Sequence, residues 1–249
     1  YVLVHSIYTN RDYEKIKQAF FEKRIDAGII VGTEKDLDVV VDVAAMGYPL
    51  SIIDYSPDEI QRLVKNGRIS VINSMDEDGT RQMLEYLIAL GHRKIGILAG
   101  RTSTYSGSVR YQAFQNILAE HQIICPQEWV LKGEFIKKTA EQEVSGLIQR
   151  RNLPTALFCC NDDMALSAIE VFRKEGIRVP NDISITGFDD VMLGSLVKPS
   201  LTTIHVPIYA MAKKAVEAVL SMMGDTSKSI RTYTMNTELV IRESCRKQE

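Results

Sequence analysis

Short apolar runs of strand length alternate with longer stretches whose apolar residues recur at helical spacing, and the rhythm holds along the whole chain. The strand-like runs are Val2–Val4, Ala27–Val31, Leu50–Ile53, Ile69–Ile72, Ile95–Ala99, Trp129–Lys132, Ala156–Cys160 and Ser184–Phe188. Between them lie helical patterns: one built on Tyr13, Ile16 and Phe20, then Leu37–Met46, Glu59–Val64, Thr80–Leu90, Val109–His121, Thr139–Arg150 and Met164–Glu175. Gly47, Gly67, Gly91 and Gly176 stand where four of these helices should stop. A last helix, Tyr209–Met223, precedes two more strand-like runs, Ile230–Met235 and Glu238–Ile241. Alternation of this kind predicts an α/β fold with parallel sheets covered by helices on both faces. Roughly four strands precede Gly91 and roughly four follow it, which fits two doubly wound lobes better than one large sheet. No long Pro/Gly/Ser linker divides the lobes, so short hinge strands are expected to join them.

Composition narrows the class. A 249-residue chain with 45% hydrophobic and 25% charged residues has room for two ordinary domains. The net charge of −2, with acids and bases interspersed, offers no clustered basic face for phosphate contacts. No apolar run reaches the ~18 residues of a membrane span. No signal peptide opens the chain, and Tyr1-Val2-Leu3-Val4 reads as a strand already under way, so more chain is expected upstream. Four cysteines, Cys125, Cys159, Cys160 and Cys245, show no CxxC spacing, and the adjacent pair in an apolar run suggests buried free thiols in a reducing compartment.

In open parallel sheets a ligand binds just beyond the carboxyl ends of the strands. Asn161, Asp162 and Asp163 follow one strand, Asp189 and Asp190 another, Gly133, Glu134 and Phe135 a third, and Arg110 opens the helix after a fourth. An acid, an amide and a guanidinium on one rim suit a polyhydroxyl ligand. The carboxylate accepts from vicinal hydroxyls, the amide and guanidinium donate to ring and hydroxyl oxygens, and a ring stacks on the apolar face of a sugar. Asp162, Asp163 and Asp190 can instead cap helices. Arg110 can equally lie on a solvated helix face, and Phe135 in the core. Asn161 and Asp189 fit the ligand reading better.

Catalytic signatures are missing. Neighbouring Asp189 and Asp190 point apart on a strand and cannot bracket a glycosidic bond. No GxSxG elbow, GxGxxG or GxxxxGK[ST] appears. His5, His92, His121 and His205 lack metal spacing, and His92 after Gly91 reads as a turn residue.

Four segments carry a family resemblance: LGHRKIGILAG (90–100), SGSVRYQAF (106–114), PTALFCCNDDMALSAIEVFRKEGIRVPNDISITGFDD (154–190) and PSLTTIHVP (199–207). They resemble the effector-binding region of lactose/galactose-repressor family transcription regulators, themselves related to periplasmic sugar-binding proteins. The resemblance implies a type I periplasmic-binding-protein-like fold with ligand in the cleft between two lobes. One lobe would comprise 1–91 with 198–226, the other 92–197 with 227–249. Three hinge crossings would fall near Gly91, Leu196–Pro199 and Gly224–Ser229. The family's sugar-binding arginine falls on Arg110, its asparagine on Asn161, its acid on Asp189, its stacking aromatic on Phe135 and its N-terminal-lobe acid on Asp78, before Gly79. A further family position falls near Gly32–Thr33, without a distinctive side chain. Two departures stand out. The family's opening strand and helix and its helix-turn-helix headpiece are absent from the chain, and Met75-Asp76 replaces the Asp-Asn of many members.

The function implied is the effector-sensing and dimerising core of a cytoplasmic, non-enzymatic regulator. It would need no cofactor or metal, and it would contact DNA only through a separate headpiece. Its effector would be a small molecule, with an uncharged sugar favoured. The helices after Asn161 and Asp190, Met164–Phe172 and Val191–Leu196, would face the partner of a homodimer, although their apolar residues also suit ordinary core. A secreted sugar receptor of a transport system, built on the same fold, is the alternative.

Overall fold

The computed structural model of the protein describes residues 10–32, 37–225 and 227–248. In chain order its elements are α1 (Asn10–Phe21), β1 (Gly28–Val31), α2 (Leu37–Ala45), β2 (Pro49–Ile53), α3 (Pro57–Leu63), β3 (Arg68–Ser74), α4 (Asp76–Ala89), β4 (Ile95–Ala99), α5 (Tyr105–Glu120), β5 (Val130–Lys132), α6 (Lys137–Gln149), β6 (Ala156–Cys159), α7 (Asp162–Lys174), β7 (Ser184–Thr186), α8 (Met192–Leu196), β8 (Thr203–His205), α9 (Ile208–Met223), β9 (Ser229–Met235) and β10 (Glu238–Val240). The expected strand Val2–Val4, and with it His5 and Thr33, lies outside the described residues.

The chain forms two compact units, one of residues 1–74 and 208–235, the other of 75–207 and 236–249. It passes between them after Ser74, Pro207 and Met235. These passage points follow the packing within each unit: α4 lies against α5, β8 pairs with β10, and β9 pairs with β3.

In the first unit the strand order is β1-β2-β3-β9, all parallel. Leu50, Ile52, Ile69, Val71 and Ile72 are buried, as the continuous apolar runs predict for a sheet covered on both faces. The backbone of α9 comes close to this sheet because small polar side chains line the contact. Ser51 and Ser70 hydroxyls on neighbouring strands lie 2.6 Å apart, and Ser51 donates to the Ala215 carbonyl at 2.8 Å. Arg68 closes the far end of α9: its Nη1 donates to the carbonyls of Met222 at 3.0 Å and Asp225 at 3.2 Å. A cation there also meets the negative end of the helix dipole. Its Nε donates to the Gly47 carbonyl at 3.1 Å.

In the second unit the order is β5-β4-β6-β7, again parallel. Phe114, Phe158, Phe172 and Phe188 are fully buried around it. The chemistry of the helix starts is local. Thr104 caps α5 by accepting from the Gly107 amide at 3.2 Å, and Asn161 caps α7 by accepting from the Met164 amide at 3.0 Å. Gly91 and Gly176, after α4 and α7, take φ of +92° and +74°, the left-handed turn that glycine adopts without penalty. A feature the sequence pattern did not predict is β8, three residues between two prolines, which pairs antiparallel with β10. Isolated bridges from Thr186 to Thr202 and from Asp189 to His205 lay this segment alongside the end of β7.

Candidate functional site

Residues just beyond β6 and β7 in the second unit converge on one guanidinium. Arg110 sits in the second turn of α5, with only 7% of its side chain exposed. Its Nη1 donates to the Cys160 carbonyl at 2.6 Å and approaches Asp189 Oδ1 at 3.4 Å. Its Nη2 donates to Asp76 Oδ1 at 3.2 Å. Its Cζ lies 3.7 Å from the centre of the Phe188 ring, a buried cation–π contact. The open alternative for Arg110, a solvated helix face, is therefore set aside.

Asp189 reaches this guanidinium from strained backbone. Its φ is +111°, outside the regions L-residues favour, and Asp190 follows at +58°. Such conformations cost ~1 to ~3 kcal/mol and concentrate at ligand sites. The strain turns the Asp189 carboxylate toward Arg110 and leaves 26% of the side chain exposed. Burial pushes its pKa up to about 6, and Asp76 adds to the rise, although Arg110 pulls it down. It is thus a surface-facing acceptor beside a buried cation, placed to take hydroxyl donors.

The other predicted positions fall around this centre in different ways. Phe135 is half-buried in the loop after β5, where Glu134 and Phe135 both have φ of +57°. Its ring lies so close over Gly100, at the end of β4, that a Cβ there would meet the ring at 2.0 Å. Phe135 is thus part of the rim and not of the core. Asn161 is on the rim as well, but its Oδ1 is committed to the α7 cap. Asp78 faces along α4, where it accepts from Gln82 Nε2 at 2.7 Å, while Gln82 binds the Thr237 carbonyl and the Leu239 amide. The acid from α4 that meets Arg110 is Asp76.

The neighbouring acids are structural, by routes other than simple capping. Asp162, fully buried, accepts from Thr203 Oγ1 at 2.6 Å and from the Val191 amide at 2.8 Å. It thereby ties α7 to β8 and to the start of α8. Burial pushes its pKa up to about 7 despite those donors. Asp190 binds His205 Nδ1 at 3.0 Å and Arg242 Nη2. His92 is buried between Thr155 Oγ1 and the Arg246 carbonyl, as expected of a turn residue, and burial lowers its pKa. Among the described residues no three His, Cys, Asp or Glu side chains gather as metal ligands. Cys159 and Cys160 are free and buried.

A family profile described as periplasmic binding protein-like domain matches residues 84–245. The HTH-type transcriptional repressor PurR of Haemophilus influenzae (strain PittEE) is 32% identical over 245 residues, spanning 95% of this chain and 70% of that protein. The structure of the Lac repressor dimer bound to operator and the anti-inducer ONPF aligns with a TM-score of 0.82 at 26% identity, over 96% of this chain and 80% of that one. A putative transcriptional regulator LacI from Bacillus cereus subsp. cytotoxis NVH 391-98 aligns at 0.89 with 22% identity, over 98% and 85% of the two chains, a likeness of fold. These relatives are regulators and not enzymes, and they do not favour a secreted receptor. With the parallel two-unit fold and the matched profile, they show that the chain belongs to the lactose/galactose-repressor (LacI/GalR) family of transcription regulators, as its periplasmic-binding-protein-like effector-binding region.

Proposed function

We propose that this chain is the sugar-sensing and dimerising core of a transcriptional repressor, with the effector held at the carboxyl edge of the second sheet. The observation that carries the reading is the pairing of Arg110 with Asp189 on that edge. A buried guanidinium steadies an acceptor carboxylate that remains partly open, which is the arrangement vicinal hydroxyls require. Phe135 supplies an aromatic face on the same rim, and Asn161 a polar one. Asp78 is the acid the resemblance assigns from α4, and its neighbour Asp76 supports Arg110 directly.

Effector binding would shift the balance between conformations of the regulator and so the placement of two DNA-reading headpieces across a homodimer. A repressor that acts on bacterial DNA would work in the cytoplasm. No helix among the described residues is long and apolar enough to cross a membrane.

Isothermal titration with a panel of neutral mono- and disaccharides tests this. At least one should bind, and Asp189→Ala or Arg110→Ala should weaken it by at least ~2 kcal/mol, the scale of a charged hydrogen bond in a buried site. Unchanged affinity in both variants would reject the site, and silence across the whole panel would reject the sugar.

A further inference from the structure

Asp76 belongs to no position that the sequence pattern marked as a ligand contact, yet it is one of the most deeply buried charged side chains of the unit. Only 3% of it is exposed, and it meets a guanidinium that is itself 7% exposed. Its Oδ1 is turned to Arg110, and that guanidinium is the route by which it can act on a ligand.

An arginine recognises phosphate or carboxylate by offering paired N–H donors to two oxygens of the anion. The terminal nitrogens of Arg110 are turned elsewhere. Nη1 serves the Cys160 carbonyl and Asp189, and Nη2 serves Asp76. The Phe188 ring covers one face of the group. Two carboxylates therefore neutralise, and exceed, the single positive charge. What this cluster presents outward is the carboxylate of Asp189, an acceptor carrying negative charge.

We propose that Asp76 is a positioning residue that sets the charge selectivity of the effector site. By occupying Arg110 from below, it makes the site accept neutral polyhydroxyl ligands and refuse phosphorylated or carboxylated ones. The inference rests on the effector site lying at Arg110 and Asp189, and it narrows the ligand class that site takes. With Asp76 alone neutralised, the cluster loses its excess negative charge and with it the repulsion an anion meets, while Asp189 keeps its place.

The test uses inorganic phosphate and D-glucuronate as anionic probes beside the neutral saccharide panel, read by titration calorimetry. Asp76→Asn keeps an oxygen that accepts from Nη2. Glu77→Gln, an exposed position on the same turn, removes the same charge without touching Arg110. The wild type and Glu77→Gln should not bind either anion in the millimolar range. Asp76→Asn should gain at least ~10-fold in anion affinity relative to neutral ligand. Tight phosphate or glucuronate binding by the wild type would overturn the proposal, as would an unchanged ratio in Asp76→Asn or an equal gain in Glu77→Gln. If Asp76→Asn does not fold, Asp76→Ser replaces it, and the wild-type anion titration still decides. A panel with no neutral binder, together with an anion gain in Asp76→Asn, would reject the sugar reading and leave the role of Asp76 standing.

Discussion

The guanidinium carbon of Arg110 lies 3.7 Å from the centre of the Phe188 ring, so the residue just before Asp189 is also the floor under the cation that Asp189 meets. Phe188 is fully buried. Phe188→Leu keeps an apolar side chain there but removes the ring that faces the charge. The variant should lose ~1 to ~3 kcal/mol of stability in urea unfolding, from lost volume and lost cation–π attraction together. It should also bind effector more weakly. An unfolding curve that overlays the wild type would deny the contact any energetic part.

Asp162 makes stability depend on pH in a direction opposite to that of most carboxylates. Its pKa rises from 3.8 in the reference state to about 7 in the fold, so the folded protein holds a proton the unfolded chain releases. Stability from this group is full below pH ~4 and falls as pH rises through ~7. Asp162→Asn keeps an acceptor for Val191 and removes the titration. The difference in unfolding free energy between variant and wild type should move in the variant's favour from pH 4 to pH 8, on the order of 1.4 kcal/mol per unit of displaced pKa. A difference that stays flat over that window would mean the carboxyl is ionised throughout.

Arg68 fastens the end of α9 by carbonyl contacts that no other residue type reproduces as a fork. Arg68→Ala should cost ~1 to ~3 kcal/mol in the first unit, the scale of hydrogen bonds to a charged donor. Arg68→Lys should recover less than half, because an ammonium cannot serve the Gly47 and Met222 carbonyls from separate nitrogens. Full recovery by lysine would make the effect one of charge at the helix end alone.

On α8, Met192, Leu193 and Leu196 are 79%, 56% and 69% exposed, a dense apolar patch for five residues of helix. This is where the resemblance puts the partner subunit. Leu196→Glu should convert a dimer to a monomer in sedimentation at tens of micromolar. A mass unchanged from a wild-type dimer would remove α8 from the interface.

Much of this architecture was legible in advance because burial and periodicity are written locally. Ile95–Ala99 as a strand and glycine stops at Gly91 and Gly176 needed nothing beyond neighbouring residues. Arg110 and Asp189 were singled out from their places after strands and from the family motif. Their mutual contact, across many residues of chain, was not readable from either stretch. β8 escaped because three residues between prolines show no period, and its ladder depends on the distant Glu238–Val240. Asp76 was missed although a signal existed. Thr80, Met83 and Leu87 mark the inward face of α4, and one turn back from Thr80 is Asp76, while Asp78 shares a face with Gln82. The helix pattern was begun at Thr80, one turn later than the helix itself begins, so the acid that turns inward fell outside it.

In the first unit the edge of β3 is covered by Ser229–Met235, which pairs with it along its length. On a ribosome the four strands of the second sheet have all emerged once Thr186 is out, whereas β3 keeps a bare edge until synthesis has passed Met235. The segment translated first is therefore the one whose sheet is finished last. A stop codon before Ser229 would release a polypeptide whose first sheet keeps an adhesive flank and whose second unit lacks the segment that lies along β7 and β8.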